Sequence, residues 1–507
     1  MPHDAAGLRE VGAAGRPHGT CRNRNTRPRG KKWRTTMQEL HQVYIDGRFV
    51  TPHGTELSPI TNPATGELIA QVRLADEVDA HAAVAAAKRA FADFSRTGKG
   101  ERIALLRRLG EVFGKRAGEL AEAMINEYGG PRSFVERSMP LAAHAFSSAA
   151  DALESYEFTR PGGRSVVTMQ PIGVTAIITP WNYSVAFVAT KVASAIAAGC
   201  TTVVKPSELS AQQTQLMTEC FDEAGVPAGV VNIVTGRGSV IGDVLTTHPD
   251  VAKVNFTGST AVGQTIMRNA APTMKRLTLE LGGKGPSILL EDADLDTAVP
   301  AALAVGFSNN GQACYAGTRI LAPASRLAEV HAAIEAIVPT LKVGDPNDPD
   351  TVIGPLISGT QFERVQSYIR LGQEEGGQIL VGGEGRPAGL EAGWFVQPTV
   401  FTGVTNNMRI AQEEIFGPVL CVIAYQDEAE AIEVANDTVY GLRAYVFSAD
   451  TERARSVAGQ LVAGQVMING APGDPNAPFG GFKQSGIGRE NGVYGLEAHL
   501  EPRAVFG

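Results

Sequence analysis

The sequence predicts an α/β protein with parallel, doubly wound sheets, and three observations lead there. After residue 171, short β-rich runs of four to eight residues alternate with helical stretches. Glycine- and proline-rich turns follow those runs, and open α/β sheets bind ligands at the carboxyl ends of their strands. The composition agrees: 57 glycines and 6% aromatics in 507 residues suit an enzyme with many tight turns better than an all-β module.

The elements follow in order. "VYIDGRFV" (43–50) opens the regular pattern, and "NPATGE" (62–67) is a turn cluster after a short strand. Residues 76–160 read as several helices, from the apolar periodicity of "HAAVAAAKRAFADF" and "ERIALLRRLGEVFGKRAGELAEAMINEYGG", with Gly129-Gly130-Pro131 as a stop. "IGVTAIITP", "TTVVKP", "GVVNIVTG", "AKVNFTGS" and "GPSILL" read as strands, with helices such as "FVATKVASAIAAG" between the earlier ones. A second series follows Cys314: "TRILAP", a helix, "EEIFGPVLCVIAY", "RAYVFS" and "GQVMING". Every glycine- or proline-rich stretch singled out below is expected at a strand's carboxyl end.

Charge and cysteines narrow the function. A net charge of −8 gives no electrostatic reason to expect nucleic acid or a membrane surface. Apolar runs fall short of the ~18–20 residues that span a bilayer. The five cysteines stand singly, with no CxxC and no HExxH, so no metal site and no disulfide framework is expected, and a reducing, cytoplasmic compartment is the default. Residues 1–36 hold nine basic and two acidic residues and no serine. They read as a disordered basic extension, with the folded protein beginning near Met37; a transit peptide and a nucleic-acid-binding arm are the competing readings.

Chemistry centres on "FSNNGQACYAGTR" (307–319). Cys314 sits among small and polar residues between Gly311 and Gly317, an unusual setting for a packing cysteine. A thiol attacks only as thiolate and needs a base or a lowered pKa. None of the nine histidines lies in a motif-like stretch, so Glu280 in "LELGGKGP" is the candidate base, although taken alone it reads more readily as a solvated or salt-bridged residue. Asn182 in "TPWNYSV" could hold an oxyanion together with the Cys314 amide. For a nucleotide there is no GxGxxG. "GRGSVIG" offers Gly238 and Gly242, "FTGSTAVG" places Ser259 at a helix start suited to phosphate, and "KPSE" places Lys205 and Glu208 where an adenosine ribose could be held.

Taken in order, "NPATGE", "TPWNY", "KPSE", "FTGST", "LELGGK", "NNGQACYAGTR", "EEIFGPV", "INGAP" and "PFGGFKQSGIGRE" resemble the aldehyde dehydrogenase superfamily from about residue 40 to the C-terminus. The resemblance implies a Rossmann-like nucleotide-binding domain (37–152 and 172–281), an α/β catalytic domain (282–494) and a protruding β oligomerisation arm (153–171 and 495–507). It implies Cys314 as nucleophile, Asn182 as oxyanion donor and Glu280 as base, with Lys191 and Glu490 relaying its proton. It implies NAD, with NADP possible, held by Trp181, Lys205, Glu208, Ser259, Glu414 and Phe416, with no metal. A homodimer or homotetramer is implied, with "RSVVTM" as an edge strand pairing with another subunit, and Glu501 pairing with both Arg276 and Arg489. Tyr183, Phe187, Ala313, Tyr315 and Phe479 are the expected pocket residues, and the expected substrate is an apolar aldehyde, since no arginine is evident that would receive a second carboxylate. Gly285 and Arg443 depart from the family's usual residues; the glycine is expected only to loosen a turn. Glu280 disfavours a coenzyme A-acylating relative. A non-redox thiol hydrolase and a catalytically silent binding protein on the same scaffold stay open.

Overall fold

The computed structural model describes residues 37–507; the expectation for residues 1–36 lies outside them. An eight-stranded sheet is built from Gly486–Ile487, Arg276–Glu280, Val251–Thr257, Val174–Ile178, Thr201–Lys205, Val231–Ile233, Val43–Ile45 and Arg48–Val50, in that spatial order. Its five inner strands, from Arg276–Glu280 to Val231–Ile233, are parallel. In chain order they run 3-2-1-4-5, the nucleotide-binding arrangement, with the order reversing between Val174–Ile178 and Val251–Thr257. The edge hairpin turns on Asp46 and Gly47, both at positive φ, as a two-residue turn between twisted strands requires.

These strands are apolar throughout because both faces are covered. Ile177 and Val204 pack into a core with the helices Lys99–Lys115, Pro140–Ser155 and Ser184–Ala198. Their neighbours Ala176, Ile178 and Val203 face the opposite core with Ala83, Val84 and Ala87 of Glu77–Phe94. Gly129, at φ 81°, closes Ala117–Tyr128 where the glycine-proline run predicts a stop.

A second, seven-stranded sheet runs Gln378–Val381, Thr399–Thr402, Val419–Tyr425, Arg319–Pro323, Pro286–Leu289, Arg443–Phe447, Gln465–Ile468, parallel apart from the first strand. One expectation is corrected here. Cys314 precedes Arg319–Pro323, and Glu414 precedes Val419–Tyr425, so both stand at amino ends of this sheet rather than at carboxyl ends. The short strand Gly486–Ile487, from the segment assigned by resemblance to the catalytic part, adds to the edge of the first sheet beside Glu280.

Thr159–Gly162, Ser165–Pro171 and Leu500–Phe506 form a separate antiparallel sheet. Ser165–Pro171 is its central strand, flanked on both sides, so the edge role expected for "RSVVTM" is corrected: the free edges belong to the other two. Met169 donates its N–H to Phe158 on the far side, so the Met169–Pro502 pair exchanges no hydrogen bond. Pro502, which has no N–H, therefore faces the free edge, and the strand continues to Phe506.

Candidate active site

The parallel register pairs Ile178 with Lys205 and with Phe256, and Thr257 with Glu280, so these strands end together in a row at one end of the first sheet. Past that row lie Thr179 to Asn182, Glu208, Ser259 and the Glu280 carboxyl itself. Amino ends of the second sheet supply Cys314, Glu414, Arg443 and Gln465.

Cys314 is positioned by an unusual backbone. Asn309, Asn310 and Gly311 take φ of 54°, 60° and 69° in succession, the left-handed region. Side chains lock this turn. Asn310 donates to the carbonyls of Gly129 and Pro355 and accepts from the Gly354 N–H. Asn309 donates to the Asn182 and Gln312 carbonyls. A Cβ on Gly311 would lie 2.2 Å from the Gly417 carbonyl carbon, so only glycine fits. Burial first, then the Glu414 and Glu280 carboxylates, push the Cys314 thiol up to about 12, with Arg443 opposing them.

The other expected catalytic residues gather around it. Asn182, buried, donates its side-chain amide to the Gln312 carbonyl at 2.9 Å. Glu280 is 2% exposed, and neither carboxyl oxygen has a hydrogen-bond partner among the described residues. Burial, reinforced by Glu490, raises it well above the usual carboxylate range, while Lys191 and Arg489 pull the other way. Lys191 and Glu490 form a buried ion pair.

On the nucleotide side, Glu208 receives Lys205 at 3.3 Å and Arg237 at 3.2 Å, and Arg237 also holds Glu56 at 2.7 Å. Ser259 caps Thr260–Ala270 and accepts from the Val262 N–H. The Thr179 and Thr257 hydroxyls, flanking the point where strand order reverses, are buried without partners. Gly238 and Gly242 lie in a π-helical turn, and nothing stands within 4 Å of where a Cβ would be at either. Glu414 accepts from the Gly283 N–H at 2.9 Å, and burial raises its carboxyl to about 7. Trp181 meets Phe416 edge to face at 5.5 Å. A helix start, a ribose-height carboxylate, an aromatic platform and two orphan hydroxyls at the strand-order reversal fit a dinucleotide.

A cavity of about 320 Å³ opens onto Cys314. Tyr183, Phe187, Tyr315 and Phe479 line it as expected, and the Tyr183 and Tyr315 hydroxyls meet at 2.6 Å. Ala313 is corrected: it is buried, and Cys314 and Tyr315 form the wall beside it. Asn182 and Glu280 are not on this wall. Leu141 and His144 of Pro140–Ser155, and Arg443 with Gln465, line it without having been expected. The helix carried no chemical motif, and only packing turns it here; Arg443 was visible as an odd residue whose direction was not. Glu501 pairs with Arg276, as expected, but not with Arg489, whose guanidinium bonds the Gly481 and Gly488 carbonyls and lies over Phe482.

A thiol, an amide donor and an unpartnered carboxyl beside a Rossmann-type crevice are the groups expected of a nucleotide-dependent oxidoreductase. Residues 49–505 match the model of the aldehyde dehydrogenase family. A 3-succinoylsemialdehyde-pyridine dehydrogenase from a Pseudomonas species is 48% identical over 475 residues, 93% of this chain and 99% of that protein. Aldehyde dehydrogenase C of Pseudomonas syringae, as a mutant with NAD+ and octanal, is 46% identical with a TM-score of 0.91, over 92% of this chain and 96% of that one. Betaine aldehyde dehydrogenase of Staphylococcus aureus with NAD+ is 38% identical with a TM-score of 0.89, over 92% and 94%. The chain belongs to the aldehyde dehydrogenase family and is an NAD(P)-dependent aldehyde dehydrogenase.

Proposed function

We propose that this chain oxidises an aldehyde to the free carboxylic acid with NAD as hydride acceptor, water being the final acceptor of the acyl group. The observation that carries this is the buried Glu280 carboxyl with neither oxygen partnered, close enough to raise the Cys314 thiol and to be raised by Glu490. Burying such a group costs stability and serves no fold purpose, whereas it suits proton exchange.

In this reading the Cys314 thiol gives its proton to solvent and its sulfur adds to the aldehyde carbon, giving a thiohemiacetal anion. The Cys314 N–H and the Asn182 amide, whose second N–H is free of the Gln312 bond, hold the oxyanion. The chemistry that bound NAD supplies is acceptance of the hydride that turns this adduct into a thioester. Lys205, Glu208, Ser259 and Glu414 would hold it, with Trp181, Phe416, Gly238 and Gly242 alongside. Glu280, as carboxylate at this stage, then takes a proton from the attacking water and can pass it toward Glu490 and Lys191, while Cys314 leaves as thiolate and regains its proton from solvent. Aldehyde, NAD and water enter; acid, NADH and a proton leave.

The Glu208 carboxylate at the ribose position favours NAD over NADP. The apolar walls, and the octanal bound by the similar Pseudomonas syringae enzyme, support a substrate whose aldehyde is carried on an aliphatic chain. The exposed three-stranded sheet, ending in Val505 and Phe506, supports a homodimer or homotetramer built through its free edges. No helix among the described residues is long and apolar enough to cross a membrane, and a cytoplasmic location follows from the unpaired cysteines. The test is NADH formation from NAD and octanal without coenzyme A. Turnover is expected, and is lost in Cys314→Ala; turnover that requires coenzyme A would overturn the hydrolytic reading.

A further inference from the structure

The substrate cavity contains an arginine that the fold does not explain. Arg443 begins the strand Arg443–Phe447 and turns into the same cavity as Cys314. Its guanidinium lies 4.7 Å from the Tyr315 ring centroid and 5.7 Å from that of Phe479, so two cavity aromatics hold it in place. Nε and one terminal nitrogen both donate to the Gln465 side-chain oxygen, at 3.0 Å for Nε, and the Gln465 amide is itself fixed on the Pro478 carbonyl. That uses one side of the guanidinium; the Tyr445 hydroxyl stands close to it as well, and terminal N–H groups remain to donate into the cavity.

No carboxylate among the described residues pairs with this cation. Two acidic residues share the cavity wall. Glu490 is committed to Lys191, and Asp474 accepts the Asn476 N–H in an exposed loop. A second polar group, His144, lines the cavity with its Nε2 buried and unpartnered. Gly285 belongs to the same arrangement. A Cβ there would lie 2.5 Å from the Arg443 carbonyl oxygen, so the glycine seats the Arg443 backbone rather than loosening a turn. The two departures in the sequence are thus one local feature.

We propose that Arg443 is a specificity residue that receives the carboxylate of an ω-oxo carboxylic acid whose aldehyde end meets Cys314. This takes the aldehyde oxidation proposed above as given and names its substrate class. A held guanidinium with terminal N–H groups to spare, in a cavity with apolar walls, matches a carboxylate's two oxygens. An alkanal leaves that half-buried cation without an anionic partner.

The experiment is steady-state NADH formation by the full chain with length-matched pairs: succinic semialdehyde against butanal, 5-oxopentanoate against pentanal, 6-oxohexanoate against hexanal. The expected result is a preference in kcat/KM for the oxo acid in at least one pair, carried by a KM roughly 10- to 100-fold lower. Arg443→Gln should collapse that ratio toward one by raising the oxo acid's KM, and Arg443→Lys should keep part of it. Residual alkanal turnover in each variant reports that it is folded. Equal or poorer use of every oxo acid by the unaltered protein overturns the proposal, as does a ratio that survives Arg443→Gln. Failure to oxidise any aldehyde would instead defeat the underlying aldehyde oxidation.

Discussion

Asn182 donates its side-chain amide to the main-chain oxygen of Gln312 across 130 residues of chain, tying the end of one sheet to the nucleophile's loop at the start of the other. The bond places an amide donor two residues before Cys314, at the junction of carboxyl ends and amino ends where the site lies. It also joins Asn182 to the Asn309 side chain, which donates back to the Asn182 carbonyl at 3.3 Å.

Asn182→Ala therefore removes an oxyanion donor and a support of the loop. Loss of one such donor costs roughly 10²- to 10³-fold in kcat. Steady-state NADH formation checks it, with the melting temperature measured beside it. A fall in melting temperature with kcat preserved would make Asn182 a scaffold residue only.

Burial, then the Glu414 and Glu280 carboxyls, outweigh Arg443 and hold the Cys314 thiol above the ordinary cysteine range. Its alkylation by iodoacetamide, followed at its own peptide by mass spectrometry, should keep rising with pH up to pH 10, by roughly tenfold per unit. A plateau below pH 9 would show that the resting site already stabilises the thiolate.

Much of this site was legible because its chemistry is written locally. Glycines and polar residues around Cys314, a carboxylate before two glycines at Glu280, and an Asn after a strand and a proline at Asn182 all announce themselves in the chain. The parallel sheets were legible for a similar reason, since strands covered on both faces are apolar throughout. What was not legible depends on direction and packing. The helix carrying Leu141 and His144 reads as an ordinary amphipathic segment, and only its packing turns it to the cavity. Arg443 stood out, yet its aim is set by Tyr315, Gln465 and Phe479, which the fold brings from elsewhere. Arg489 failed to join Glu501 because nearby carbonyls and Phe482 hold its guanidinium first. Edge and central strands of the small sheet cannot be told apart by alternation, since both alternate.

His499 gives a stability signal that the site does not. Burial, with Lys253 and Lys191 nearby, lowers its pKa to about 3, while its Nδ1 faces the Gly495 carbonyl and its Nε2 has no partner. An unfolded histidine titrates near 6.5, so below that pH the unfolded chain binds a proton that the folded one refuses. Its contribution to stability is whole above about pH 6.5 and falls away as pH drops toward 3. His499→Gln should flatten the decline of melting temperature between pH 7.5 and 5. Parallel declines in the two proteins would show that other groups govern acid lability.

Glu280→Gln separates the two halves of the reaction. The carboxyl is buried, unpartnered among the described residues and set beside Glu490, itself paired with Lys191, so in the proposed reaction its work is proton transfer and not support. Removing it leaves Cys314 and Asn182 in place, so addition and hydride loss should still occur once per site. Hydrolysis of the thioester should not keep pace, because a general base contributes roughly 10²- to 10⁴-fold. Rapid mixing with NAD and octanal should show a burst approaching one NADH per site, followed by a steady rate lowered by that factor. Mass spectrometry of the quenched protein should find the acyl group on Cys314. A variant with no burst and no acyl adduct would move Glu280 to the first step, as the base that activates the Cys314 thiol.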